Sequence, residues 1–355
     1  MEKDIFISLN KDKAIMVAPI SEMDSVLGYL ENVQYKFKSL LVIGNGFDLN
    51  LGLPTTYRNF VESCIFKKMY VKRLQKKKTQ KIQQPSLIDY LYGKKFYERW
   101  YDIEQALLEY VSRRPDGGFV NNIKQDREDY FCICKSLIEY LSSLFKSNNL
   151  IDADNTPAAK ILNRFLSRDS LIYSFNYTPI DLIIRSLTFS GYSSNEKTSM
   201  HGEIKADSII KGNIHGNSII LGIETDNIDS IAPGYSFMIK SNNPIYKSTM
   251  LASDLLASRE VVFFGHSLNK MDFGYFDQYL RYLTTNKEKG RRLTIITKNE
   301  KSRVTILNNI RQMGISVRDI FSHVKIDMIL TDNIGKPKSE DSNNFDELLN
   351  RLKSY

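Results

Sequence analysis

Short apolar runs that stop at polar turns recur along the chain. Residues 40–43 run into Gly44-Asn45-Gly46, and residues 170–175 run into Asn176-Tyr177-Thr178-Pro179. Residues 260–264 run into Gly265-His266-Ser267, and Arg292–Thr297 is followed by helical spacing from Lys301. Runs this short, bounded by turn residues, have the length of fully buried strands. After the later turns the apolar spacing lengthens, which predicts helices over 180–187, 273–283 and 301–313, with a last strand at 324–330 and a last helix at 344–352. Strand, polar turn and helix in repetition predict an α/β fold: a Rossmann-like, doubly wound, mainly parallel sheet with helices on both faces.

The remaining pattern divides the chain. Residues 4–9 and 13–18 alternate as a β-hairpin around Asn10-Lys11-Asp12, and a helix is expected from Ser21, so residues 1–37 read as an extension. The core domain is expected over 38–330, with a tail and helix over 331–355. Helical spacing at 57–84, 96–112 and 124–145 makes 58–150 a large helical insertion after the first core strand, longer than an ordinary parallel crossover. Residues 218–223 predict a further strand, 226–247 a loop and 249–258 a helix.

Ligands of open parallel sheets sit at the carboxyl ends of the strands. The turns Gly44-Asn45-Gly46-Phe47-Asp48, Asn176-Tyr177-Thr178 and Gly265-His266-Ser267 are therefore expected to converge on one rim. Gly-x-Gly after a strand allows a sharp turn and a close ligand, and a helix starting there offers N–H groups to an anion. Asp48 could cap that helix or reach a ribose hydroxyl. Leu49 stands where the dinucleotide fingerprint needs its third glycine, and no acid ends a second strand at the right distance. By itself this stretch reads equally well as an ordinary strand-to-helix turn.

Composition narrows the setting. The 355 residues are 42% hydrophobic and 25% charged, the proportions of a soluble globular protein. No apolar run is long enough to span a membrane, and the N-terminus lacks the apolar core of a secretory signal. Three cysteines without a Cys-x-x-Cys pair provide neither a disulfide framework nor a four-cysteine zinc site, so a reduced, cytoplasmic setting is expected. The net charge of +8 favours an anionic partner in general terms. The basic run 67–81 reads first as a solvated helix end and second as a nucleic-acid contact.

One set of segments carries a family resemblance: residues 43–57 (Ile-Gly-Asn-Gly-Phe-Asp-Leu-Asn-Leu-Gly-Leu-Pro-Thr-Thr-Tyr), Trp100 to Glu104, and Ser174-Phe-Asn-Tyr-Thr178. It continues through Ile214-His-Gly216 and Phe264-Gly-His-Ser-Leu268 with Asp272. These resemble the AbiH family of bacterial abortive-infection proteins over roughly residues 38–330, which implies antiphage defence. The pattern is in turn remotely similar to sirtuin-type NAD-binding folds, through Gly44-Asn45-Gly46 with Gly52-Leu53-Pro54, Asn176, and His215-Gly216. That likeness implies NAD as ligand or substrate, with no metal and no required cofactor. It implies His215 as base and Asn176 as its companion. Gly44, Asn45, Gly46, Phe47, Asp48, Thr55, Tyr57, Tyr177, Gly265, His266, Ser267 and Asp272 are implied to contact the nucleotide. Asn45 replaces a small residue of that pattern, Thr178 replaces an acid, and the zinc cysteines are absent, which points away from protein deacylation.

The chemistry implied is cleavage of the nicotinamide–ribose bond, which needs positioning, a dry pocket and a base. A histidine near neutral pKa suits the base, and His201, also before a glycine, is the rival of His215. The Asn176 amide can both donate and accept toward a water or ribose hydroxyl, or it can simply stabilise its turn. Asp272 could equally be a helix N-cap, Trp100 fits a core, and Glu104 fits a buried hydrogen-bond partner or a surface acid. The expected partners are a small-molecule nucleotide, a phage-derived trigger, and a second copy or another protein. The alternatives are a nucleic-acid-directed nuclease or binder using residues 67–81, and a non-catalytic nucleotide sensor in a larger complex. The clustered acids that a metal-dependent nuclease needs are not evident.

Overall fold

A computed structural model of the chain describes residues 5–8, 15–18, 37–80, 85–94, 103–112, 123–146, 150, 153–166, 170–187, 212–213, 218–223, 231, 233–242, 250–286 and 290–353. Residues 1–36 and 37–355 form two compact units. In the first, β1 (Ile5–Ser8) and β2 (Ile15–Ala18) pair antiparallel, as their alternation predicts. The helix expected from Ser21 lies outside the described residues.

The second unit contains β3 (Phe37–Ile43), β4 (Ser170–Ser174), the short β5 (Gly212–Asn213) and β6 (Ser218–Ile219), then β7 (Ser258–Phe264), β8 (Arg292–Thr297) and β9 (Lys325–Leu330). Five of these form an all-parallel sheet in the order β4-β3-β7-β8-β9. Side chains alternate across it. Leu41, Ile43, Val262, Phe264 and Ile296 enter one hydrophobic cluster, while Leu40, Val42, Val261, Phe263 and Ile295 enter another. Helices cover both faces, which is why the strands read as continuous apolar runs rather than as alternating ones.

The order sets the location of the crevice. From β3 the chain winds to β4 on one side, then returns across to β7 on the other. Neighbouring strands whose connections leave in opposite directions open a crevice at their carboxyl ends. In register, Ile43 pairs with both Ser174 and Phe264, so three of the polar turns begin at one level.

The insertion between β3 and β4 is helical, as expected, with helices Tyr57–Glu62, Cys64–Gln80, Leu87–Lys94, Ile103–Ser112 and Ile123–Lys146. The helix expected over 57–84 is broken at Ser63, whose backbone is extended. Helix Pro157–Phe165 stands where the spacing gave no expectation. Thr156 caps it, Pro157 occupies its first turn, and Ala158, Ile161, Leu162 and Phe165 are buried. The basic run is not uniformly solvated: Arg73 is buried and Lys76 pairs with Glu128 at 2.7 Å.

The strand expected over 218–223 is shorter. Ser218–Ile219 pairs with β5 rather than with the large sheet, and Ile223 forms an isolated parallel bridge with Ile239. Beyond it Leu221 C=O accepts from the Tyr130 hydroxyl, Ile223 N donates to Met238 O at 2.8 Å, and Lys240 N donates to Ile223 O at 3.0 Å. The insertion helix and the turns at Pro233–Met238 and Lys240–Asn242 thus satisfy the backbone groups that a sheet would have used. Helix Glu340–Lys353 buries Phe345, Leu348 and Leu352 within the same unit as the sheet. No helix among the described residues is long and apolar enough to cross a membrane.

Candidate functional site

The strand-end turns meet through their backbones. Gly44 N donates to Phe264 O at 3.0 Å, Gly46 N to Gly265 O at 3.0 Å, and Phe175 N to Ile43 O at 2.9 Å. A Cβ on Gly44 would lie 2.6 Å from His266 Cα, and one on Gly46 would lie 2.7 Å from Gly265 Cα. Gly265 has φ +65°, and a Cβ there would lie 2.3 Å from Phe47 N. These glycines are required because two backbones cross in contact, not because a ligand needs the space. The N–H groups of Gly46 and Phe47 donate to Gly265 O and Gly44 O. The expectation that this turn offers free N–H groups to an anion is corrected for these two: the neighbouring turn takes Gly46 N, and Gly44 O of the same turn takes Phe47 N.

Helix Asn45–Asn50 places Asp48 inward. Asp48 does not cap the helix; Gly44 holds that position without a side-chain bond. Instead Asp48 Oδ1 accepts from Asn176 Nδ2 at 2.8 Å, and Oδ2 accepts from the Thr178 hydroxyl. Asn176 Nδ2 donates also to Gly44 O at 3.1 Å. Burial raises the Asp48 carboxyl to about 7, although the bonds from Thr178 and Asn176 pull it down. Asn176 Oδ1 is buried and has no hydrogen-bond partner among the described residues. An acceptor left in that state calls for a donor from water or ligand.

His266 is held on both sides. Leu268 N, in a residue with φ +50°, donates to its Nδ1 at 3.0 Å. Nδ1 thus acts as an acceptor, and Nε2 lies 3.5 Å from Asp272 Oδ2. The edges of Phe175 and Phe276 pack on the ring with centroids 4.5 and 5.1 Å away. Asp272 stands at the N-cap of helix Phe273–Thr285 but makes no side-chain capping bond; its carboxylate turns toward His266.

Glu104 is buried in an ion pair with Lys240 Nζ at 2.8 Å and accepts from the Tyr177 hydroxyl. Lys240 gave no signal in the sequence, because its segment has the composition of a loop.

A cavity of about 250 Å³ is lined by eleven of the residues named from the sequence: Gly44, Asn45, Asp48, Thr55, Tyr57, Asn176, Tyr177, Gly265, His266, Ser267 and Asp272. Thr178, Glu104 and Asn269 add to its polar lining. Phe60, Leu137, Tyr140 and Leu141, from the insertion helices, supply an apolar wall. Their spacing in the sequence showed a buried face but not what it faced. Asn45 and Thr55 are joined at 2.7 Å, and the Tyr140 hydroxyl donates to Pro54 O at 2.5 Å. Two named residues fall elsewhere. Phe47 is fully buried against Phe264, so it is a core residue and not a ligand contact. Gly46 lines a second cavity of about 790 Å³, beyond the ridge Gly265-His266-Ser267, with Lys298, Asn299, Lys301 and Ser302. His215, His201 and Trp100 lie outside the described residues. Among the described residues no group of three or more His, Cys, Asp or Glu side chains is placed to hold a metal ion.

The site thus combines a carboxyl poised near neutrality, an unsatisfied amide acceptor and an apolar wall from the insertion. A profile of the family described as "Bacteriophage abortive infection AbiH" matches residues 40–295, a span that includes every residue lining the first cavity. No curated protein and no solved structure matches the chain.

Proposed function

The chain belongs to the bacteriophage abortive infection AbiH family, and on that premise we propose that it is a phage-defence effector that binds and hydrolyses NAD or a related nucleotide at the carboxyl ends of the parallel strands. The observation that carries the reading is the buried pair Asp48–Asn176 at the base of the strand-end cavity, with Asn176 Oδ1 still lacking a donor.

Hydrolysis of NAD breaks the bond between the ribose anomeric carbon and the nicotinamide nitrogen. Nicotinamide leaves with the electron pair as a neutral ring. Water adds its oxygen to the ribose and gives its proton to a base. A carboxyl that titrates at about 7 is matched to that proton transfer, and its ionised form favours the positive charge that develops on the ribose. Asn176 Oδ1 would accept a ribose hydroxyl, while its Nδ2 holds Asp48 in place. The first cavity suits a nucleoside, and the second, across Gly265-His266-Ser267, carries Lys298 and Lys301, which suit the phosphates of a longer ligand. Both nitrogens of His266 are engaged, so it is read as a positioning residue.

Two residues compete as base: Asp48, from the geometry, and His215, from the resemblance to sirtuin-type folds. The test is to incubate purified protein and the variants Asp48→Asn and His215→Ala with NAD and follow free nicotinamide. Loss in one variant alone identifies the base. No release, with NAD still bound, would favour the sensor reading; neither release nor binding would remove NAD from the function. A cytoplasmic site of action follows from this reading.

A further inference from the structure

A third cavity, of about 400 Å³, lies in the helical insertion between helices Cys64–Gln80 and Ile123–Lys146. The nucleotide reading makes no use of it. Its lining carries five cations, Lys68, Lys72, Arg73, Lys76 and Lys135, against the acids Glu128, Asp129 and Glu139. Two of the opposed charges are already matched, since Lys76 Nζ lies 2.7 Å from Glu128 Oε2.

Arg73 is the unusual member. It is 5% exposed, and its Nε lies 3.1 Å from Asp129 Oδ1. Its Nη1 and Nη2 are buried without a hydrogen-bond partner among the described residues. Asp129 cannot serve them fully, because Gln125 Nε2 donates to its Oδ1 at 2.8 Å and Ile88 N approaches its Oδ2 at 3.4 Å. A guanidinium has five donors in a planar fork suited to a carboxylate or phosphate, and leaving them unmatched in a buried place is costly. Lys68 and Lys72, one helical turn apart, are exposed on the same cavity. An anion there would meet one buried fork and two mobile ammonium groups.

We propose that this cavity is an anion site for a phosphate-bearing small molecule, separate from the strand-end cavity and independent of the chemistry assigned to that cavity. The ligand is small because the cations share the cleft with Glu128, Asp129 and Glu139 and converge on the buried Arg73 fork, whereas a nucleic-acid backbone follows an uninterrupted basic stripe. Its place between insertion helices, one of which also walls the strand-end cavity through Leu137, Tyr140 and Leu141, would let occupancy bear on the main site.

The experiment is isothermal titration of the purified full chain with pyrophosphate, repeated on Lys68→Ala/Lys72→Ala and on Arg73→Gln. The double lysine variant removes only exposed groups and is expected to keep the wild-type circular dichroism and melting temperature. It should weaken pyrophosphate binding by roughly tenfold, the scale of losing charge-assisted bonds, and Arg73→Gln should weaken it at least as much. Binding unchanged in the lysine variant would overturn the site. So would the absence of any pyrophosphate heat in the wild type. Displacement of pyrophosphate by a single-stranded oligonucleotide regardless of sequence would overturn the small-molecule ligand in favour of nucleic acid.

Discussion

Asn176 Nδ2 donates to Asp48 Oδ1 at 2.8 Å, although the whole helical insertion lies between the two residues in sequence. The bond fastens the end of β4 to the helix that follows β3. It also fixes the amide so that its oxygen is left without a partner among the described residues.

Removing the amide should therefore stop chemistry before it disturbs the fold. Asn176→Ala is expected to lower nicotinamide release from NAD by at least about 100-fold, the usual scale for losing a preorganised polar contact, and to abolish toxicity in cells. Circular dichroism and gel filtration check that the variant is folded. Wild-type turnover or toxicity in a folded variant would sink the site assignment.

Asp48 makes stability depend on pH in the direction opposite to that of a salt-bridged carboxylate. Its carboxyl titrates at 3.8 when unperturbed and at about 7 in the folded chain. Between these values the folded state holds more protons than the unfolded state, so the contribution falls as pH rises from about 4 to about 7. The full swing is at most about 4 kcal/mol. Asp48→Asn removes the slope. Its melting temperature relative to wild type should rise between pH 5 and pH 8, as read in parallel thermal melts. A constant difference across that range would refute the buried ionisation.

Gly265 tolerates no side chain. With φ +65° and a Cβ position 2.3 Å from Phe47 N, Gly265→Ala should lose at least about 3 kcal/mol. The loss is read from the denaturant midpoint. Gly52→Ala is the control: it has positive φ but nothing within 4 Å, and should cost far less.

At the opposite end of the sheet, Arg351 Nη2 donates to the fully buried Glu260 at 3.0 Å and to Asp327 at 3.2 Å. Arg351→Met leaves Glu260 buried without that partner and should destabilise by about 3 kcal/mol. The double change Arg351→Met/Glu260→Gln should recover part of it. Urea denaturation of the single and double variants measures both, and an unchanged midpoint in the single variant would show that the carboxylate is held by other groups.

Much of this was legible in the chain. The five parallel strands, the helical insertion and most of the strand-end residues followed from short apolar runs ending in Gly44-Asn45-Gly46, Asn176-Tyr177-Thr178 and Gly265-His266-Ser267. A strand buried on both faces must be apolar throughout, and a parallel sheet must return through helices, so one dimension of sequence carries both facts. Three of the family motifs, at 43–57, 174–178 and 264–268, lie on the same segments.

Three-dimensional packing decided the rest. The strand order that opens a crevice between β3 and β7 depends on which way each crossover winds, which no local pattern encodes. The glycines at 44 and 46 could have served a ligand; only the crossing of the Gly265 backbone shows that they serve the fold. Phe47 reads as part of a binding motif and lies in the core, because helix Asn45–Asn50 turns that face toward Phe264. Arg73, within a run of lysines, is buried because helix Ile123–Lys146 brings Asp129 to it. Lys240 finds Glu104 across more than a hundred residues of chain, and Asp48 acquires its raised pKa only when burial removes water from it. Composition and spacing specify which elements form. Desolvation and pairing between distant segments specify what their side chains become.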